Sequence, residues 1–345
     1  MADPALTVRR LMVFLFERLG IFSTVYRVES GRMRFDSPLS TNSKRFKTKH
    51  DRQPTPPPEK SPAVPQLLTR ESTIRFRCYP GISCFNACCR QADVTLAPYD
   101  ILRLQESLGM TSTQFLKEYT VPFEMDQDGL PGVKMRTTED KVCLLLNGDN
   151  GCRVYAHRPT VCRYYPIALL NKRAQGSSQA EEDYSLVKED HCKGHGEDRA
   201  ITIADYRQEQ GCDEHDDANR EWYQLILKKK SAGPGIGRPS ETSLQFFFMA
   251  CYNMDMFRRF VKSDNFRNIY ALDEAFYADI EHDNLTLLRF GFRLMRQVLF
   301  GEQTIDEREG VWDARVAQRK EVWAARTRAE IARREQEEDK KYDAL

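Results

Sequence analysis

Apolar residues recur at helical spacing in several stretches of the chain, whereas strict alternation, the mark of a half-buried strand, is scarce. Near the N-terminus Leu11, Leu15, Leu19 and Phe22 share one face of a short amphipathic helix. From Pro98 onward, Ile101, Leu104 and Leu108 share another face. Proline suits the first helical position, Asp100 suits the first turn, and Gly109 supplies the stop. Thr111 and Gln114 have capping-box spacing and open a second helix through Phe115, Leu116 and Tyr119. Leu244, Phe247, Phe248, Cys251 and Met254 recur at helical intervals, so a helix is expected over Ser243–Val261. A further helix spans Leu285–Phe300, with Asp283 near its start and Gly301 just past its end. Arg308–Lys341 is charged nearly all round, with Trp312, Val316 and Trp323 as its few anchors, and reads as a solvated helix.

Breaks in this pattern divide the chain. Six of the sixteen prolines fall within Asp51–Gln66, so Ser37–Gln66 reads as an extended spacer. Arg75–Cys78 is a short extended entry to the cysteine-rich region, and polar Asn171–Glu182 is expected to be a surface loop. The glycines of Ala232–Gly237 come after three lysines rather than a buried strand, which makes an interdomain loop and not a phosphate cradle. The expected organisation is an N-terminal amphipathic segment over 1–35 and a proline-rich linker over 36–71. A cysteine-cluster metal-binding domain occupies 72–230, a helical extension packing on it 240–301, and a charged tail 302–345. The fold class is mainly α: an irregular cysteine-rich metal-binding core with short helices, and a helical C-terminal half.

Composition narrows the functions. Lysine and arginine number 52 against 51 acids, a net charge of +1, so no nucleic-acid partner is expected. No apolar run approaches the ~20 residues of a membrane span. Thr7–Phe14 faintly resembles a twin-arginine export signal, but the apolar run Leu11–Phe16 is too short and ends in Glu17 and Arg18. The expected compartment is therefore the reducing cytoplasm, where thiols remain available as ligands. Met33 is a second candidate start. An unidentified protein partner would dock on the charged C-terminal helix.

The chemistry lies in the cysteines. Eight of the ten fall between Cys78 and Cys192. Cys78, Cys84, Cys88 and Cys89 form C-x5-C-x3-C-C, and Cys143, Cys152, Cys162 and Cys192 come singly after them. Thiolates bind soft or borderline metals, and the metal holds them deprotonated. Buried free thiols and a disulfide network are the weaker readings of such crowding. Only Cys84, with Cys88 or Cys89, has the close spacing of a structural zinc pair. The scattered remainder tilts the choice towards an iron–sulfur cluster, with Zn2+ as the alternative. Neighbouring Cys88 and Cys89 diverge in a strand or a helix, so one is structural or they serve two metals. Eight thiolates are enough for two four-ligand centres. Cys212 and Cys251 lie outside the pattern, and Cys251 fits a helix core.

Three runs carry a family resemblance: Cys84–Arg90; Leu96–Leu104 with Leu108 and Gly109; and Cys152–Pro166. Together they resemble the bacterial YkgJ-type cysteine-cluster family, regarded as a zinc- or iron-chelating domain without a settled biochemical role. The likeness covers about Phe76–Gln210, and the continuation to Phe300 resembles the longer members. The family's opening block is more often C-x2-C-x2-C-C, so here it is stretched. Ala97 stands where a capping Ser or Thr is common, a loss of about 1 kcal/mol. Arg158 and Arg163 flank Cys162 and would offset the −2 charge of a tetrathiolate centre with a divalent metal. Pro159 and Pro166 stiffen the segment presenting Cys162. His157, His191 and His195 are minor ligand candidates. The resemblance implies metal binding with a redox, sensory or metal-handling role. Flagellin lysine N-methylase carries a similar cluster, so a protein-modifying enzyme is one alternative, and a structural zinc module for partner binding is another.

Overall fold

The computed structural model describes residues 26–29, 32–35, 67–126, 129–173, 180–231 and 239–311, with Asp313 and Arg328 beyond them. The N-terminal amphipathic helix, the proline-rich linker, the glycine loop and most of the charged tail lie outside the described residues. Near the N-terminus, β1 (Tyr26–Glu29) and β2 (Arg32–Phe35) pair as a hairpin.

The larger hydrophobic core is built by helices. Its members are α1 (Pro98–Leu108), α2 (Ser112–Tyr119), α5 (Cys212–Ser231), α6 (Glu241–Tyr252), α7 (Met254–Val261), α9 (Glu274–His282) and α10 (Asn284–Phe300). Phe246, Phe247, Phe257, Phe260, Phe266 and Phe292 are fully buried there. Each contributes roughly 2–3 kcal/mol by leaving water. Phe257, Phe266 and Phe276 all pack on the Phe290 ring, with centroids 4.5–6.3 Å apart. Gly291 lets α10 approach α6: a Cβ there would stand 2.6 Å from the Ala250 carbonyl oxygen.

The caps agree closely with the sequence. Gly109 and Gly301 end α1 and α10 in the left-handed region, at φ 62° and 71°. Thr111 accepts from Gln114 N–H, and Asp283 accepts from Leu285 and Thr286 N–H. One expected helix is two. Asn253 separates α6 from α7, accepting from Met256 N–H and from the Ser112 and Thr113 hydroxyls. The apolar period runs straight through this break, because both helices face the same core.

Small antiparallel sheets add to the mainly-α fold. Strands β4 (Thr95–Leu96), β5 (Thr120–Glu124) and β6 (Pro131–Met135) form a sheet with β6 in the centre. β3 (Thr73–Arg75) pairs with β9 (Ala200–Thr202), Ile74 opposite Ile201. β7 (Ile167–Arg173) pairs with β8 (Ala180–Leu186). The expected surface loop Asn171–Glu182 is thus corrected: both of its ends are strand. Backbone pairing asks little of side-chain polarity, and Ile167 and Tyr184 anchor the hairpin on a second, smaller core. That core also holds Ile74, Phe76, Tyr164, Ile201, Ile203 and Tyr206. Beside it, Arg207 on α4 (Ile203–Gln210) is 2% exposed and binds Asp213 and Asp216 at 2.6 Å, Glu182 at 3.1 Å and the Tyr184 hydroxyl.

The described residues do not show the expected cysteine-rich core. The cores are mainly aliphatic and aromatic, and the cysteines within them are Cys251 and Cys212. Cys78 and Cys88 are exposed and Cys84, Cys89, Cys143, Cys152, Cys162 and Cys192 half-buried, with Cys143 and Cys152 packed against the larger core and Cys192 against the smaller. Among the described residues no helix is long and apolar enough to cross a membrane.

Candidate metal centre

The β3–β9 pair closes the cysteine region like a clasp, joining its entry to its exit. Just inside it, Phe76 N–H donates to Arg199 O at 3.0 Å and Arg77 N–H to Gly194 O at 3.1 Å. Only glycine fits at 194, since a Cβ would meet the Phe76 ring at 2.6 Å and Arg77 O at 2.8 Å. The loop carrying Cys192 is thereby pressed onto the strand that leads to Cys78. From the same loop Lys193 N–H donates to Cys84 Sγ at 3.2 Å, across 109 residues of sequence.

Cys143 and Cys152 pack against the larger core. The chain after Cys89 runs antiparallel to residues 133–143. Thr95 pairs with Lys134, Ala92 N–H reaches Lys141 O at 3.0 Å, and Cys143 N–H reaches Cys89 O at 2.8 Å. A tight loop then brings Cys152 back: Leu146 bridges to Cys152, and Arg153 N–H donates to Leu145 O at 2.9 Å. Gly151 allows this return at φ 91°. Cys162 lies on α3 (Thr160–Tyr164), whose start is fixed by Asp100 of α1. Asp100 Oδ1 accepts from Thr160 N–H at 2.9 Å and from its hydroxyl at 2.6 Å, and faces His215 Nδ1 at 3.0 Å. Its Oδ2 accepts from Ala97 N–H at 2.9 Å, the reciprocal half of a capping box whose other half alanine cannot make.

All ten cysteines are free thiols. Desolvation pushes Cys78 up to about 11, with the charges of Cys88, Cys84 and Cys192 adding and Arg158 opposing. Burial also raises Cys143, Cys152 and Cys162. Charges on Cys88 and Cys152 add to the shift at Cys143, and those on Cys143, Cys88 and Cys152 to the shift at Cys162. Backbone N–H groups of Leu145 and Leu146 act the other way on Cys143, and that of Val154 on Cys152. A hydrogen bond between the vicinal thiols lowers Cys88 and raises Cys89.

These donors fit a thiophilic metal in kind. They are soft, reduced and mutually repulsive once ionised, so a cation would relieve them. They do not stand as a closed shell. Among the described residues, no three His, Cys, Asp or Glu side chains are grouped tightly enough to hold an ion as they are.

The flanking groups divide. Arg158 stacks on Tyr155 at 4.2 Å and draws down the pKa of both Cys78 and Cys152. Arg163 is spent on the carbonyls of Ala156, Arg158 and Gln210 at 2.7–3.0 Å and clamps the backbone instead. His191 lies 3.5 Å from Glu189, and His195 Nε2 lies 3.0 Å from Val187 O. His157 Nδ1 is buried without a hydrogen-bond partner. Cys212 and Cys251 are buried at 0% and 1% exposure in the two cores. Sequence reasoning missed His215, and it gave Asp100 only a helix-end role. An aspartate three residues after an alanine N-cap was the available signal. Tyr165 was missed as well: its buried hydroxyl faces Glu189 and Cys192, which together with burial raise its pKa.

Eight free thiols, exposed or half-buried, thus come from well-separated segments carried on small sheets and helices. Residues 77–193, which enclose all eight of these cysteines, match the family model described as "CxxCxxCC: Putative zinc- or iron-chelating domain". No curated protein and no solved structure matches the chain.

Proposed function

We propose that the protein chelates zinc or an iron–sulfur cluster through Cys78, Cys84, Cys88, Cys89, Cys143, Cys152, Cys162 and Cys192, in a redox, sensory or metal-handling role. The observation that supports this reading is backbone pairing between the cysteine-bearing segments. The clasp presses the Cys192 loop onto the strand leading to Cys78, Lys193 N–H reaches Cys84, and the 89–143 pairing and the 143–152 loop draw the backbones of Cys89, Cys143 and Cys152 near one another. Peptide N–H groups directed at Cys84, Cys143 and Cys152 favour sulfur as an acceptor. Arg158, between Cys78 and Cys152 in its electrostatic effect, would offset thiolate charge. A bound metal would supply the positive charge that keeps the thiolates ionised at neutral pH.

Anaerobic purification followed by metal and sulfide analysis tests this. Iron with acid-labile sulfide and absorption near ~400 nm supports a cluster. Stoichiometric zinc in a colourless protein supports the zinc form. A reduced, folded chain that retains neither metal, and takes up neither on reconstitution, overturns the reading.

A further inference from the structure

We propose that His215 is a positioning residue for Cys162, acting through Asp100 and Thr160. The proposal rests on the chelation reading above only in taking Cys162 as a ligand.

The short helix α3 has no cap of its own. Pro159 stands at its N-cap without a side-chain acceptor, and Thr160 N–H donates instead to Asp100 Oδ1 of α1 at 2.9 Å. The Thr160 hydroxyl reaches the same oxygen at 2.6 Å. Cys162 follows two residues later, and its N–H closes the first turn on Pro159 O at 2.9 Å. Just beyond it, Arg163 grips the carbonyls of Ala156, Arg158 and Gln210. Cys162 is thus held between a carboxylate clamp on one side and a guanidinium clamp on the other.

Asp100 is 0% exposed, so its oxygens depend on protein donors. Ala97 N–H and the two donors of Thr160 supply three. The fourth partner is His215 Nδ1, 3.0 Å from Oδ1. A carboxylate only accepts, and the Thr160 hydroxyl already gives it its one hydrogen. The hydrogen of the fourth contact therefore comes from Nδ1, which also faces Thr160 Oγ1 at 3.1 Å. His215 is firmly held in turn. It is 1% exposed, and its ring packs edge-on to Tyr99 with centroids 5.1 Å apart. Asn219, one turn along α5, donates to His215 O at 2.9 Å and accepts from Tyr99 N–H at 3.0 Å. In this way α5 fixes the orientation of the carboxylate on which α3 depends. Loss of the Nδ1 donor frees that carboxylate to turn, and the Cys162 turn loses its fixed start.

Two variants test this in the full-length chain, stripped of metal and kept reduced. His215→Asn keeps an N–H donor in place of Nδ1, whereas His215→Leu removes it. Iodoacetamide labelling is read thiol by thiol from peptide masses. His215→Leu should speed labelling several-fold at Cys162 and leave Cys84 and Cys192 unchanged, and His215→Asn should label like the unaltered chain. Zn2+ affinity, measured by competition with a chelating dye, should fall about tenfold in His215→Leu and recover in His215→Asn. Far-UV circular dichroism checks that each variant is folded. 15N NMR of the unaltered chain needs no variant, and His215 should carry its hydrogen on Nδ1. A hydrogen on Nε2 alone overturns the proposal. So does a folded His215→Leu chain in which Cys162 labels at its original rate, or in which every cysteine speeds up alike. An unaltered chain that takes up neither Zn2+ nor iron overturns the chelation reading instead, while NMR and labelling still decide whether His215 positions Cys162.

Discussion

Asp100 carries several interactions on one side chain. It is fully buried, accepts from Thr160, Ala97 and the His215 side of α5, and so ties the start of α1 to the turn that presents Cys162. Removing an acceptor strands buried donors, each costing about 1–3 kcal/mol. Asp100→Ala is therefore expected to lose about 3 kcal/mol or more of stability, and Thr160→Val, which removes one hydroxyl donor, about 1 kcal/mol. Urea unfolding midpoints should preserve that order. A second expectation at this scale concerns protons. Cys78, Cys143, Cys152 and Cys162 all lie above the ordinary thiol range, because burial disfavours the thiolate. They enter a neutral solution protonated, and as the proposed ligands each would release about one proton on binding metal. Metal affinity should therefore fall as pH falls from 8 to 6, and loading in weak buffer should acidify the solution. The sign reverses for the metal-free fold. Raised thiols contribute stability that is full below about pH 9, the unfolded value, and is lost as pH rises through the folded value of about 11 at Cys78. Thermal midpoints of metal-stripped protein between mildly and strongly alkaline pH check this.

At the scale of the element, what was legible depended on length. Long helices declare themselves through several turns of apolar period and through their caps. α1, α2 and α10 were therefore readable from Gly109, Thr111, Asp283 and Gly301. β3, β4 and β9 are three residues or fewer, too short for alternation to show. Those strands nevertheless decide which cysteines meet. The identity of the eight thiols was plain in the sequence, but their grouping was not. It depends on pairings such as Thr73 with Thr202 and Cys89 with Cys143, which no local pattern encodes. The break at Asn253 was hidden for another reason, since its cap partners Ser112 and Thr113 lie about 140 residues away. Close approach between elements gives a third prediction. In an open helix Gly→Ala gains up to about 1 kcal/mol. At Gly291 the new methyl would meet the Ala250 carbonyl at 2.6 Å, a backbone atom that cannot swing aside. Gly291→Ala should instead destabilise, by about 1–3 kcal/mol as for other overpacked cores. A raised unfolding midpoint would show that α6 and α10 yield more easily than this geometry allows.

Across the whole molecule, the cysteines stand where two unequal cores meet. The larger core has phenylalanine-rich helices to sustain it. The smaller one has about ten buried side chains, a short clasp and the Arg207 cluster, so its independent stability is modest. On the proposed ligand set, with cysteines from both sides, metal binding would stabilise the smaller core and its junction, because the unfolded chain keeps these segments apart. Mass action then adds about 4 kcal/mol when free metal exceeds its dissociation constant a thousandfold. The gain belongs where the ligands are. Removal of metal by a chelator is therefore expected to act unevenly. Amides of β3, β9 and the Cys192 loop should lose most of their protection from hydrogen exchange, while those of α6, α7 and α10 keep theirs. The same removal should split one cooperative thermal transition into two, the smaller and earlier one belonging to the clasp side. Gly194→Ala should mimic the first effect with metal present, since it forces apart Phe76, Arg77 and the Cys192 loop. Uniform loss of protection across both cores would mean that they fold as one unit and that the metal serves the whole chain equally.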